Sequence, residues 1–301
     1  MRRLLIVLTL ALSACAAGPS GQQALCGPSG RLRVGLVGSA EGRRGSAGII
    51  LAEQEQFKLR ELLMASSRCD VLLEPVLSPE QARLRLRNSE WDLAFLPPGL
   101  TAVALEQEGQ FSLVRQLGRR QNSKSQLVVR ADSRFKTRAD LRGTRLGLLP
   151  RGSLTGFYLP LFNLHGLTFS QVGYELTYQD LMQGLQNGEF DVIAWDGALP
   201  MQGNDIRIIH EDTHAIPLGA LALSQPLLAQ DYKPFVQKLD DNVSQLPSSL
   251  GYATGVIPDL LMLRELRAIV SKVEGWSLPQ AGQPYVVYGT PSRSMPGEGP
   301  Q

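Results

Sequence analysis

Histidine and cysteine are scarce, three of each in 301 residues. His165 stands alone, and His210 and His214 are four apart in a run that reads as a strand, where that spacing does not converge two imidazoles. No cysteine or dense carboxylate cluster completes a metal site beside them, so no metal is expected. No segment resembles a nucleophile elbow, and Ser153 has no credible base, so acyl transfer is disfavoured and the chain reads as a non-enzyme without a cofactor. An excess of charge is missing too. Setting aside Arg2 and Arg3, the 30 basic residues fall to 28, against 28 acidic ones. A balanced body lacks the basic stripe that nucleic acid requires. The one local excess, between Arg115 and Arg138, reads mostly as solvated surface. After the first residues no run is long and apolar enough to span a bilayer.

What is present begins at the N-terminus. Arg2 and Arg3 precede an apolar run from Leu4 to Leu12, followed by Leu12-Ser13-Ala14-Cys15. The run is too short for a permanent span and reads as a secretory signal over residues 1–14. Its end resembles the bacterial lipobox, which implies acylation of Cys15 and a lipid anchor on the periplasmic side of a bacterial membrane. Residues 15–30, rich in Ala, Gly, Pro, Ser and Gln, read as a tether, and residues 289–301 as a frayed tail. Two cysteines then remain. An even pair in an oxidising compartment suggests a Cys26–Cys69 disulfide.

The body alternates short β-rich runs with helical stretches. Arg31 to Val37 reads as a strand, Glu53 to Ser66 as a helix with Phe57, Leu59, Leu62 and Leu63 on one face, and Val71 to Leu77 as a strand. A helix from Pro79 to about Asn88 and a buried strand from Asp92 to Leu96 follow, the latter stopped by Pro97-Pro98-Gly99. The pattern restarts with strands at 126–130, 145–149, 173–177, 190–195 and 206–209, and helices at 154–164 and 179–186. After Ile216 come one strand, 218–223, and helices at 231–246 and 257–272. Such order predicts an α/β protein of two lobes, each a mostly parallel sheet with helices on both faces. The expected boundaries are 31–115 with 217–288 for lobe 1, 126–210 for lobe 2, and hinge crossings at 116–125 and 211–216. A ligand cleft would lie between the lobes.

One segment carries recognisable chemistry. A strand ends at Leu149, and Pro150-Arg-Gly-Ser-Leu-Thr-Gly156 leads into a helix. Amides at a helix start have no internal acceptor, and the macrodipole is positive there. Gly152 and Gly156 would allow close backbone approach, and Ser153 and Thr155 would add hydroxyl donors, a combination suited to an anion. Plain capping by Ser153 or Thr155 is the other reading. Asp196, at the carboxyl end of a buried strand, could take a proton from an oxyanion or pair with an amine, or be an ordinary loop aspartate. Trp195 reads as core.

The run from Asp140 to Phe157 resembles the ligand loop of the phosphate, phosphite and phosphonate-binding receptors of ABC transporters. Asp92 to Val103 and Tyr178 to Ala194 resemble two further segments of that family, most clearly at Asn187-Gly188-Glu189-Phe190-Asp191. The resemblance implies the two-lobed type 2 periplasmic binding fold and an oxyanion held by Ser153, the Leu154 amide, Thr155 and Gly156. Departures fall at Leu96 to Gly99, where the family brings an aromatic residue or glycine, at Tyr178 in place of histidine, and at Ser123-Lys124-Ser125 in place of a Tyr-x-Ser hinge. Leu96, Tyr178 and Asp196 join the candidate ligand residues. The expectation is a monomeric, lipid-anchored receptor for a small oxyanion, working with an ABC permease and its ATPase. The alternatives are the same fold for a sulfonate, nitrate or chelated metal, and a sensory or assembly lipoprotein whose cleft is blocked by Leu96, Pro97 and Pro98.

Overall fold

The computed structural model describes residues 23–38, 51–106, 110–118, 123–201 and 205–287. The signal segment, Cys15 and the tail from 289 lie outside the described residues. The first lobe begins with β1 (Arg31–Val37), α1 (Glu53–Ser67), β2 (Asp70–Val76), α2 (Pro79–Arg87), β3 (Leu93–Leu96), α3 (Pro98–Glu106) and β4 (Phe111–Leu117). The second contains β5 (Ser125–Arg130), β6 (Arg145–Leu148), a π turn (Leu154–Tyr158) running into α4 (Leu159–Asn163), β7 (Thr168–Phe169), β8 (Gln171–Tyr174), α5 (Tyr178–Gln186), β9 (Val192–Asp196) and β10 (Ile206–Glu211). The chain returns as β11 (Gly219–Ser224), α6 (Gln225–Leu228), α7 (Lys233–Asp241) and α8 (Leu260–Glu274), and ends in β12 (Tyr285–Val286).

The two main sheets run β2-β1-β3-β11-β4 and β10-β5-β9-β6-β8. The pairings set four strands of each sheet in one direction and one against them, β11 in the first and β5 in the second. Each opposed strand is the one that has just crossed from the other lobe. This is the two-lobed α/β architecture expected, with mostly parallel sheets.

Apolar alternation builds the layers. Leu32, Val34 and Leu36 of β1 are fully buried with Leu59 and Leu63 of α1 and Val236 and Leu239 of α7, on the outer side of the first sheet. Leu181, Met182 and Leu185 of α5 cover the outer side of the second, against Val128 and Ile193. Between the sheets lies one continuous apolar layer. It joins Ala82 and Leu86 of α2, Leu100 and Val103 of α3, Phe157 and Leu161 beside the π turn, and Leu266 and Val270 of α8. Residues 100–104 of α3 are all buried, as a helix enclosed on every side must be.

Several boundaries differ from the sequence reading. The end of the supposed tether is docked: Leu25 is buried, its N–H donates to the Ser67 carbonyl, and Cys26 is bonded to Cys69. β1 and β2 start side by side, Arg31 opposite Asp70, which brings these cysteines to a Cα separation of 5.5 Å. The stretch 217–288, assigned to lobe 1, divides. β12 pairs with β7, and Tyr174 donates from its hydroxyl to the Pro279 carbonyl, so the chain after α8 lies against the second lobe. Ala281 also bridges Val172 of β8, so this end covers the edge strand of the second sheet. α3 and β4 were not recognised, because Pro97-Pro98-Gly99 reads as a stop when Pro98 in fact occupies the first turn of a helix. Arg115, read as solvated, is bound to Asp240 at 2.9 Å and largely buried.

Candidate functional site

The carboxyl ends of the parallel strands of both sheets meet at the inter-lobe seam, and the Gly-Ser turn stands there. After β6, Gly152 adopts φ +111, a conformation that favours glycine, and a Cβ on it would lie 2.7 Å from the Pro79 carbonyl oxygen of the first lobe. Ser153 caps the turn, its Oγ accepting from the Gly156 N–H at 3.1 Å. The Tyr158 N–H then reaches back five residues to the Ser153 carbonyl at 3.1 Å, which makes this a π turn, a feature common at functional sites. The leading amides of the turn, Leu154 and Thr155, have no intrahelical acceptor.

Gly156 has another role than the one its position suggested. Its N–H is held by Ser153, and a Cβ on it would come within 2.6 Å of the Leu149 side chain, so the glycine serves packing. Thr155 is buried, and its Oγ1 lies 2.5 Å from the Tyr178 hydroxyl and 3.2 Å from Asp196 Oδ2. Asp196 Oδ2 also accepts from Ser123 Oγ at 2.6 Å, and Oδ1 from the Ala198 N–H at 2.9 Å. If Thr155 donates to the carboxylate, Tyr178 donates to Thr155, giving a relay from ring hydroxyl to threonine to aspartate. Tyr178 packs edge-on against Trp195 with ring centres 5.6 Å apart. Ser153, Thr155, Tyr178 and Asp196 are thus brought together. Leu96 is not among them: it is a buried strand residue paired with Ala220.

The first lobe meets the turn through Gly99, which the sequence reading did not single out. A Cβ on Gly99 would lie 2.3 Å from the Gly152 carbonyl oxygen and 2.7 Å from the Leu154 nitrogen. Two helix starts, α3 and the π turn, therefore face each other in backbone contact. Pro98 has no N–H, and the first intrahelical bond of α3 is from Thr101 to Pro97, which leaves the Gly99 and Leu100 amides at the head of the helix without an internal acceptor.

Next to this contact lies a buried ionic cluster also missed, because its members are scattered in sequence. Glu274 at the end of α8 receives Arg151, which precedes Gly152, together with Arg83 at 3.2 Å and Arg87 at 3.3 Å from the first lobe. Tyr158 donates to it at 2.5 Å. The Glu274 side chain is 2% exposed. Burial opposes its ionisation, but Arg151, Tyr158 and Arg83 outweigh burial and hold its carboxyl below the ordinary range. Burial, and then Glu274 itself, push the Tyr158 hydroxyl well above its ordinary value. An open groove between α1 and residues 242–248, lined by Phe57, Lys58 and Leu246, lies on the outer side of the first sheet, away from these groups.

A family profile described as "ABC transporter, phosphonate, periplasmic substrate-binding protein" matches residues 52–240. The chain belongs to this family. Its members are solute-binding components of transporters, not enzymes. Solved structures of the same fold include a Xanthomonas citri protein bound to chloride (TM-score 0.59, 19% identity, covering 81% of this chain and 99% of that one). Another is PhnD1 of Prochlorococcus marinus in complex with methylphosphonate (0.59, 14%, 81% and 98%). A third is the binding-protein component of an ABC phosphonate transporter of Pseudomonas aeruginosa (0.56, 13%, 80% and 86%). No curated protein sequence matches the chain. Among the described residues of this binding protein, no helix is long and apolar enough to cross a membrane, and no group of three or more His, Cys, Asp or Glu could hold a metal ion.

Proposed function

We propose that this binding protein is a monomeric receptor, anchored through lipidated Cys15 on the periplasmic side, which captures a small phosphorus oxyanion and presents it to an ABC permease and its ATPase. The observation that carries the reading is the opposition of two helix starts at the seam. When the lobes part between Gly99 and Gly152, the amides of Leu154 and Thr155 on one side and of Gly99 and Leu100 on the other face the opening. Together they solvate an anion in place of water, and closure shuts water out. The Ser153 hydroxyl adds a donor, and those of Thr155 and Tyr178 add donors once the ligand draws them from Asp196 and from each other. Asp196 sets the charge accepted: its carboxylate repels a fully ionised dianion and favours a ligand that brings a proton or an amine.

Calorimetric titration with phosphate, phosphite and alkylphosphonates tests this. Thr155→Ala removes a donor to a charged acceptor and should weaken binding roughly 10- to 150-fold. Asp196→Asn should change the pH dependence of binding. Unchanged affinity in a Ser153→Ala/Thr155→Ala double variant would overturn the site. Cys15→Ala should move the protein to the soluble fraction, and sedimentation should return the monomer mass.

A second reading has its own support. The Gly99 and Gly152 backbones touch, the apolar layer between the sheets is continuous, and the Glu274 cluster binds both sides. A scaffold that stays shut in this way would act as a sensory or assembly module. Small-angle scattering separates the two: a receptor contracts on adding its ligand, and a shut scaffold does not.

A further inference from the structure

β5 and β9 lie antiparallel at the carboxyl edge of the second sheet, with Gln126 directly opposite Trp195. Opposed residues project from the same face. Both side chains are buried, each residue 5% exposed. Each nevertheless keeps a buried polar atom without a partner: the indole Nε1–H of Trp195 and the amide Oε1 of Gln126. Buried polar groups in folded proteins are nearly always paired, and two orphans on one cross-strand pair need a common explanation. The amide orientation is fixed by its other end, since Gln126 Nε2 donates to Glu211 Oε2 at 2.7 Å. Turning the amide over would set two oxygens against each other. The Gly197 backbone packs on the same amide, since a Cβ there would come 2.8 Å from Gln126 Nε2. The pair adjoins the candidate oxyanion site through Tyr178, whose ring packs on Trp195 and whose hydroxyl meets Thr155.

We propose that Gln126 and Trp195 form a second recognition point, which takes a hydroxyl on the organic arm of the captured oxyanion. The proposal rests on the oxyanion reading above. A hydroxyl matches the orphan atoms: its oxygen accepts from the indole N–H and its proton goes to the amide oxygen. An ammonium carries only donors and leaves the indole unpaired. A second phosphoryl or carboxylate group carries only acceptors and would face the amide oxygen. A plain alkyl group leaves both atoms unsatisfied.

The test compares 2-hydroxyethylphosphonate with n-propylphosphonate, of similar size but without the hydroxyl. Wild type should bind the hydroxylated ligand about tenfold more tightly, the worth of a hydrogen bond of ordinary strength. Gln126→Leu and Trp195→Phe should erase that preference while leaving n-propylphosphonate binding close to wild type. Because either variant can lose stability, the wild type supplies an independent readout. In tryptophan-labelled protein the indole resonance of Trp195, assigned through Trp91→Phe and Trp276→Phe, should shift with the hydroxylated ligand and stay in place with the alkyl one. Trp91, already donating to Glu74 at 2.9 Å, is the internal reference. Equal affinities with an unmoved Trp195 signal would overturn the subsite and leave oxyanion capture standing. Binding of neither phosphonate would overturn oxyanion capture, and the subsite with it.

Discussion

The two lobes repeat one plan with different endings. Reading the second sheet from its far edge, β8-β6-β9-β5-β10 corresponds strand for strand to β2-β1-β3-β11-β4, with the opposed strand in the same place. Where the strands end at the seam the lobes part company. Around β6 and β9 the second lobe offers Ser153 capping the turn, and Asp196 receiving the hydroxyls of Thr155 and Ser123, with Tyr178 of α5 joined through Thr155. After β3 the first lobe offers Leu96, Pro97, Pro98 and Gly99, which have no side-chain donor at all. Its contribution is backbone: a helix start pressed onto the turn. Under the proposed receptor reading, recognition through side chains belongs to one lobe and covering through backbone to the other, so changes to the second should alter affinity and changes to the first should alter closure.

The largest effect should come where the lobes are joined. Glu274→Ala leaves Arg151 buried without its carboxylate and Arg83 with Glu80 alone, and breaking a buried ionic cluster costs about 3–5 kcal/mol. Chemical denaturation should show it, and a loss below about 1 kcal/mol would mean that the seam contributes little. The sign of the pH effect follows from the depressed carboxyl of Glu274. Its stabilisation is present above the ordinary glutamate range and is lost as pH falls through the folded value. Glu274→Gln should therefore flatten the acid limb of the stability profile. Next comes a change inside one lobe. Replacing Cys26 and Cys69 by serine removes a covalent tie between the chain before β1 and the start of β2, worth roughly 4 kcal/mol as an upper figure for a loop of this separation, with typical losses of about 2–4. Affinity at the second lobe should be unaffected, and a parallel loss of binding would contradict the division of roles.

Much of this was legible in the sequence, for physical reasons. Strands with fully buried apolar alternation, such as Leu32, Val34 and Leu36, and helices with a clean stripe, such as Leu263, Leu266 and Val270, announce themselves by period. The Gly-Ser turn was legible because glycine, serine and threonine between a strand and a helix carry both geometry and chemistry. α3 was not, since a helix buried on every side has no period to read and its prolines imitate a stop. The Glu274 cluster was invisible because Arg83, Arg151 and Glu274 are neighbours only after folding. Gly99 escaped for the same reason: nothing local says that its missing side chain makes room for Gly152. Gly99→Ala sharpens that point. A methyl group 2.3 Å from the Gly152 oxygen forces the seam apart, at about 1–3 kcal/mol as other overpacked contacts cost. Scattering should then report a more open molecule in the absence of ligand. An unchanged profile would show that the contact yields locally and that the first lobe does not set closure.

The smallest effect tests whether the polar edge of the second lobe acts as one unit. Ser123, arriving from the crossing between β4 and β5, and Thr155, from the π turn, both donate to the same oxygen of Asp196. Each bond to a charged acceptor is worth about 1.5–3 kcal/mol when buried and less at the partly exposed Asp196, so Ser123→Ala should cost about 1 kcal/mol. The carboxylate keeps Thr155 and the Ala198 amide in that variant, and it leans on them more. Removing Thr155 as well leaves Oδ2 without either hydroxyl. The double variant should therefore lose more than the two single losses combined, by about 0.5 kcal/mol or more, as residues sharing one network do. A matched pair in the first lobe, Pro97→Ala with Leu96→Val, shares no polar group and should not show this excess. Strictly additive losses at Ser123 and Thr155 would mean that Asp196 draws on independent contacts, and the contrast between a networked lobe and a covering lobe would not stand.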